Sequence, residues 1–219
     1  MPPYDIDSPY SLSPDAIAAF RRDGFVKLKD VFDREGLEWF GDQITAQTIA
    51  LNTETRLARI AAELLGTEGV RLYHDQSLYK EPGGGITPAH ADQYYWPLSN
   101  DRSVTAWVPL QAVPREMGPL AFYAGSQNAE LGRDLPISDE SEARITAAME
   151  AQGFPIVDEP FDLGEVSFHR GWTFHKAGAN VSDRPRSVMT VIYMDRDVRL
   201  AEPTNDFQQA DWEKWAPGA

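Results

Sequence analysis

Helical and extended spacing divide the chain into two unequal parts. In "SLSPDAIAAFRRDGF" a serine precedes proline and aspartate and a glycine closes the segment, so an N-cap at Ser13 and a stop at Gly24 predict a helix from about residue 14 to 22. "GFVKLKDVF" then sets Phe25, Val26, Leu28 and Val31 among lysines, the alternation of a half-buried strand. Helical spacing returns in "DREGLEWFGDQITAQTIALN" and in "TETRLARIAAELLG", which stops at Gly66. Beyond it, "GVRLYHDQSLYK", "SVTAWVPLQAV", "PLAFYAG", "GEVSFHR" and "RSVMTVIYMD" are β-rich runs punctuated by Gly, Pro, Asn and Asp. Strands in series imply an antiparallel sandwich or barrel, so a helical N-terminal third (about 1–68) is expected to pack on a barrel of about 69–196. The polar, partly helical stretch 127–152 is too long for a turn and is placed to be a loop or a lid over an opening.

Composition narrows the chemistry more than the fold. A chain of 219 residues, 42% hydrophobic and 25% charged, suits one compact domain rather than a disordered segment. It has no cysteine, so any metal must be held by nitrogen and oxygen ligands. A net charge of −14 repels a phosphate backbone, and Arg21, Arg22, Lys27 and Lys29 read as a solvated face, so neither nucleic acid nor a membrane surface is an expected partner. "MPPYDIDSPYSLSPD" lacks the basic and apolar regions of a signal peptide, and the expected location is cytoplasmic. The sequence carries no signature of oligomeric state.

One stretch, "TPAHADQYYWPL", holds His90 and Asp92 two positions apart. Along an extended segment such residues point the same way and can grip one ion together. A third ligand would come from His169 or His175 in "GEVSFHRGWTFHKAGANVSDRPRSVMTVIY". Two histidines and a carboxylate on one face of an octahedral ion leave three positions open, the arrangement of non-haem iron(II) oxygenases. Two of these can take a bidentate keto acid and one can take dioxygen. The distal carboxylate of a keto acid needs a guanidinium fork, and Arg186 follows His175 across a turn marked by Asn180, Ser182, Asp183 and Pro185.

Taken with "DGFVKLKDVF", "YHDQSLYKEPGG" and "VTAWVPLQAVPREMGPLAFYAGS", these segments resemble the phytanoyl-CoA dioxygenase family of iron(II)/2-oxoglutarate oxygenases, in order and spacing over most of the chain. The resemblance implies a mainly β fold with flanking helices, a double-stranded β-helix (jelly-roll, cupin-like barrel), with Fe(II) held by His90, Asp92 and His175. It places Arg186 on the arginine that binds 2-oxoglutarate, Trp107 and Gln76 on walls of the cosubstrate pocket, and Thr87 near a further pocket position. Two departures stand out: Ala177 replaces a serine that the family often uses on 2-oxoglutarate, and Gly125, Ser126 and Gln127 replace a common Gly-Ser-His.

His169 is expected to be structural, because a fourth ligand would close an open position, and His74 a hydrogen-bonded histidine in or near the barrel. Lys80 shares a strand face with Gln76 and Leu78, so it either reaches the pocket mouth or snorkels to solvent; Tyr94, Tyr95 and Trp96 follow the ligands directly and are candidate substrate walls. The expected activity is hydroxylation of a small metabolite with release of succinate and CO2. Desaturation, epimerisation or cyclisation would use the same residues. A cupin-type metalloenzyme would share the barrel without needing Arg186, and a jelly-roll binding module would need neither metal nor arginine. Asp92 also fills the position that halogenating relatives leave to chloride, so an oxygenated or oxidised product is expected rather than a chlorinated one.

Overall fold

The structure is a computed structural model that describes residues 8–37 and 55–215. Its first helix, α1 (Pro14–Asp23), begins where the Ser13 side chain accepts the Ala16 N–H and ends at Gly24, whose φ of 81° is left-handed. A side chain at Gly24 would also lie 2.4 Å from Gln127 Oε1, so both conformation and space require glycine. Gln127, the residue that departs from Gly-Ser-His, donates from Nε2 to the Arg22 carbonyl at 3.0 Å and satisfies an acceptor left open at the helix end. Most of the helix expected over "DREGLEWFGDQITAQTIALN" lies outside the described residues, apart from a helical turn at 34–37. The second long helix, α2 (Thr55–Leu65), stops at Gly66 with φ 65°.

Strands β1 (Phe25–Leu28), β2 (Val70–Lys80), β3 (Thr87–His90), β4 (Ser103–Pro109), β5 (Leu120–Tyr123), β6 (Ile156–Asp158), β7 (Val166–Arg170), β8 (His175–Ala177) and β9 (Arg186–Asp195) make two antiparallel sheets. The larger is ordered β1-β7-β4-β9-β2 and the smaller β3-β8-β5-β6. They form the jelly-roll barrel, with α3 (Asp139–Ala151) and α4 (Asp206–Trp215) added outside it. The strand expected at "GFVKLKDVF" is β1, which supplies an edge of the larger sheet by pairing with β7.

Both faces of the larger sheet are covered, which is why every residue of β4 is buried. On the outer face Val104, Ala106, Val108, Phe168, Met189 and Val191 pack with Phe20 of α1 and Leu57, Ile60 and Leu64 of α2. The inner face presents Trp107 and Val188 to Leu120 and Phe122 of the smaller sheet. The smaller sheet is covered in turn by Ile145 and Met149 of α3, against Ala89, Tyr123 and Phe174. Burial of each such side chain stabilises the fold by about 1.5–3 kcal/mol.

The 127–152 stretch contains α3, which starts with a capping box between Ser138 and Ser141. Its first turn bonds the free edge of β3: Ser141 Oγ donates to the Ala89 carbonyl at 2.9 Å and Glu142 Oε2 accepts the Ala89 N–H at 2.7 Å. The edge is thereby closed to further strands. Among the described residues no helix is long and apolar enough to cross a membrane.

Candidate active site

A cavity of about 640 Å³ opens between the two sheets. Its lining includes the buried Arg186, Trp107, Leu120, Ala177 and Thr190 and the half-buried Thr87. His90, Asp92 and His175 line it too, as do Tyr95, Trp96, Ile137 and one face of α4. Ile137 and Phe207 are exposed, as are Gln76 and Leu78 of β2.

His90 ends β3 and His175 opens its neighbour β8, where the two are paired in register with ring centroids 4.3 Å apart. Asp92 does not continue the strand as the alternation suggested. It opens a 3-10 turn, Asp92–Tyr95, after Ala91, which is still extended at φ −124°, ψ 131°. That one extended residue keeps Asp92 on the side of His90. Asp92 Oδ1 stands 3.6 Å from Nε2 of each histidine, and the three candidate ligand atoms lie within 4.8 Å of one another.

The protonation of the rings follows from their other nitrogens. His90 Nδ1 lies 2.7 Å from the Pro88 carbonyl and His175 Nδ1 lies 3.0 Å from the Thr173 carbonyl. A carbonyl oxygen only accepts, so both rings carry a proton on Nδ1, which makes Nε2 the nitrogen available to a metal. Burial, then the neighbouring His90 and His169, pushes the His175 imidazole down to about 3, so the ring is neutral near pH 7. Burial opposes ionisation of Asp92, but the histidines around it favour its anion more strongly and hold its carboxyl well below the ordinary range. Two imidazoles and one carboxylate, the imidazoles oriented by backbone carbonyls, are a donor set suited to a divalent transition metal.

Arg186 is the first residue of β9 and is 4% exposed. Its Nη1 donates to the Gly118 carbonyl, its guanidinium sits 5.5 Å from the centroid of the Trp107 ring, and its buried Nε has no hydrogen-bond partner. Among the described residues no carboxylate forms an ion pair with it. Burial lowers its pKa to about 10, which leaves it cationic near neutral pH. A buried cation with an unused donor fits an anionic group entering from the cavity.

Gln76 and Thr87 line the cavity, and Thr87 lies opposite Ala177 in the β3–β8 register. Lys80 does not line the mouth as its position on β2 suggested. Its Nζ donates instead to Thr87 Oγ1 at 3.1 Å and to the Gly178 carbonyl at 2.7 Å. Tyr95 and Trp96 line the cavity, whereas Tyr94 does not. The Tyr94 ring packs against Tyr95 and Phe207, and its carbonyl accepts from Asn205 and Gln208. His74 is half-buried on the cavity wall, beside Trp96.

Sequence reasoning overlooked Thr105, which donates to Asp92 Oδ2 at 2.8 Å, and the face of α4 made by Phe207, Ala210, Asp211 and Lys214. The α4 residues stand at helical spacing and were in principle findable, but two of the four are charged and mimic a solvated face. For Thr105 the alternation of β4 was the available signal, since it shares an inward face with Trp107.

The sequence profile of the Phytanoyl-CoA dioxygenase (PhyH) family matches residues 43–188, two thirds of the chain. A curated relative from Danio rerio, Phytanoyl-CoA dioxygenase domain-containing protein 1, is 26% identical over 144 residues, 62% of this chain and 50% of that protein. The chain thus spans about half the length of the curated relatives it matches. Among solved structures, the non-haem alpha ketoglutarate dependent carbocyclase SnoK from nogalamycin biosynthesis is similar with a TM-score of 0.77 and 25% identity, covering 93% of each chain. The epimerase SnoN, in complex with Fe3+, alpha ketoglutarate and nogalamycin RO, has a TM-score of 0.73 and 27% identity over 89% of this chain and 88% of its own. With the profile covering β2 to β8 and with them His90, Asp92 and His175, the chain belongs to the phytanoyl-CoA dioxygenase family.

Proposed function

We propose that the protein is an iron(II)- and 2-oxoglutarate-dependent dioxygenase that oxidises a small-molecule substrate held in the cavity between its sheets. One observation carries the reading. Two imidazole nitrogens and a carboxylate oxygen converge in the same cavity as a buried arginine with an unused donor. His90, Asp92 and His175 hold the iron. The bound iron supplies redox chemistry that couples dioxygen and 2-oxoglutarate, released as succinate and CO2, to removal of a hydrogen from the substrate.

Arg186 takes the C5 carboxylate of 2-oxoglutarate as a charge-assisted fork, and the faces of Trp107 and Leu120 enclose its methylene chain. Thr87 Oγ1 already accepts from Lys80, which leaves its own hydroxyl proton for the ligand. In this role Thr87 stands in for the serine absent at Ala177, its partner across the strand pair. Tyr95, Trp96 and Phe207 give the substrate flat apolar walls, and their exclusion of water protects the oxidising step. The resemblance to SnoK and SnoN, a carbocyclase and an epimerase, gives ring closure or epimerisation a standing beside hydroxylation.

The test is direct. Purified protein binds one Fe(II) per chain, and His175→Ala loses it in a metal assay; unchanged metal content there defeats the ligand assignment. Arg186→Ala keeps the iron while raising the 2-oxoglutarate needed for succinate release by about 10-fold or more, as expected for loss of a charged hydrogen-bonded pair worth at least about 1.5 kcal/mol. Metabolite extracts screened for stimulated succinate formation identify the substrate. Product mass then separates hydroxylation (one oxygen heavier) from epimerisation (unchanged) and from desaturation or ring closure (two hydrogens lighter).

A further inference from the structure

The ligand set of His90, Asp92 and His175 leaves His169 over. This histidine lies on β7, between Phe25 of the edge strand β1 and Thr105 of β4, and is 1% exposed, with its ring 4.4 Å from that of His175, about as near as His90 is. Its Nε2 is 3.1 Å from Asp92 Oδ2, the oxygen that also accepts from Thr105 Oγ1 at 2.8 Å. An ionised carboxylate only accepts, so Nε2 carries a proton. The buried Nδ1 has no hydrogen-bond partner. The geometry therefore turns a protonated Nε2 to the carboxylate, the reverse of the Nδ1 placement at His90 and His175.

Two consequences follow from that placement. A nitrogen that donates to a carboxylate has no lone pair to offer, so His169 is not a fourth ligand despite its proximity. Meanwhile the two oxygens of Asp92 are made unequal: Oδ2 is occupied by two donors, and Oδ1 is turned to the His90 and His175 nitrogens at 3.6 Å each. We infer that His169, together with Thr105, is a positioning residue that fixes Asp92 as a one-oxygen ligand and so preserves three adjacent coordination positions for the reactants. Freed of these donors, the carboxylate could swing to present both oxygens and close one of those positions. This inference rests on the proposed metal site and extends it to residues outside the ligand set.

Metal-free protein titrated with cobalt(II) tests the role without any substrate, because the visible spectrum of the bound ion reports both occupancy and coordination number. His169→Leu removes the donor, whereas His169→Gln returns an N–H near the Nε2 position. The leucine variant should bind cobalt about 10–100-fold more weakly with an altered spectrum, and the glutamine variant within about threefold of wild type with its spectrum retained. The metal-free melting temperatures of the two variants should be alike. Thr105→Val removes the second donor and should shift affinity in the same direction, which keeps the test alive if the leucine variant does not fold. Wild-type affinity and spectrum in both His169→Leu and Thr105→Val, or equal losses in the leucine and glutamine variants, overturn the positioning role. His175→Ala separates the two levels: cobalt bound there as in wild type removes the metal-site reading itself, whereas its loss there beside an unchanged His169→Leu removes the positioning role alone.

Discussion

Lys80 stands opposite Arg186 in the β2–β9 register, which sets two cations side by side. Burial, with the Arg186 charge adding to it, lowers the Lys80 ammonium to about 8. The sign of the effect follows from that direction. A lysine whose folded pKa lies below its unfolded value keeps its charge below about 8 and loses it above, while the unfolded chain still binds the proton. A dianionic ligand beside Arg186 should therefore bind metal-loaded protein less tightly as pH rises from about 7 to about 9, with the midpoint at or above 8 because the bound anion draws the proton back. Titration calorimetry across that range should show the decline in wild type and a flat profile in Lys80→Met. The folded state should also gain stability relative to Lys80→Met as pH climbs from about 8 towards 10.5, since the cost of burying the ammonium is relieved over that interval.

At the scale of an element, α4 is the part of the fold whose role the sequence concealed most. Asn205 Nδ2 and Gln208 Nε2 both donate to the Tyr94 carbonyl, and Tyr73 OH donates to Asp211 Oδ2, so the helix is tied to the turn that carries Asp92 and to β2. Removing those ties should open the cavity without disturbing the ligands. A chain ending at residue 202 should keep its cobalt affinity, yet release more succinate without substrate and respond less to substrate in a coupled assay; unchanged background turnover would mean that α4 shields nothing. Long alternating runs were legible because their pattern spans the whole strand: "RSVMTVIYMD" is β9 from end to end. Two strands escaped, β6 and β8, each three residues long and too short to display a period. The ligands were legible from spacing and resemblance together. The partners of Asp92 were not, because Thr105 and His169 reach it only once two separate strands are brought beside it.

For the molecule as a whole, the site is a junction between the two sheets. His90 and His175 belong to the smaller sheet, whereas Thr105 and His169, which grip Asp92, belong to the larger. A metal bound by all three ligands is consequently tied to both sheets, and its binding free energy adds to that of folding. Ligand at about 100 times its dissociation constant stabilises a protein by about 2.7 kcal/mol, and for a domain of this size each kcal/mol moves the melting temperature by roughly 2–4 °C. Iron(II) or a redox-inert divalent substitute should thus raise the melting temperature by roughly 5–10 °C in a thermal-shift assay, with a further rise on adding 2-oxoglutarate. Acid should erase the gain. The folded His175 ring resists protonation down to about 3 while the unfolded chain takes up its proton near 6.5, so the metal-free protein loses stability as pH falls through that interval, and the ligand nitrogens become progressively harder to offer to a metal. His175→Ala should show neither the metal-dependent rise nor this share of the acid sensitivity. A metal-induced rise of equal size in His175→Ala would mean that the ion stabilises the chain from some other place, and the junction between the sheets would lose its assigned role.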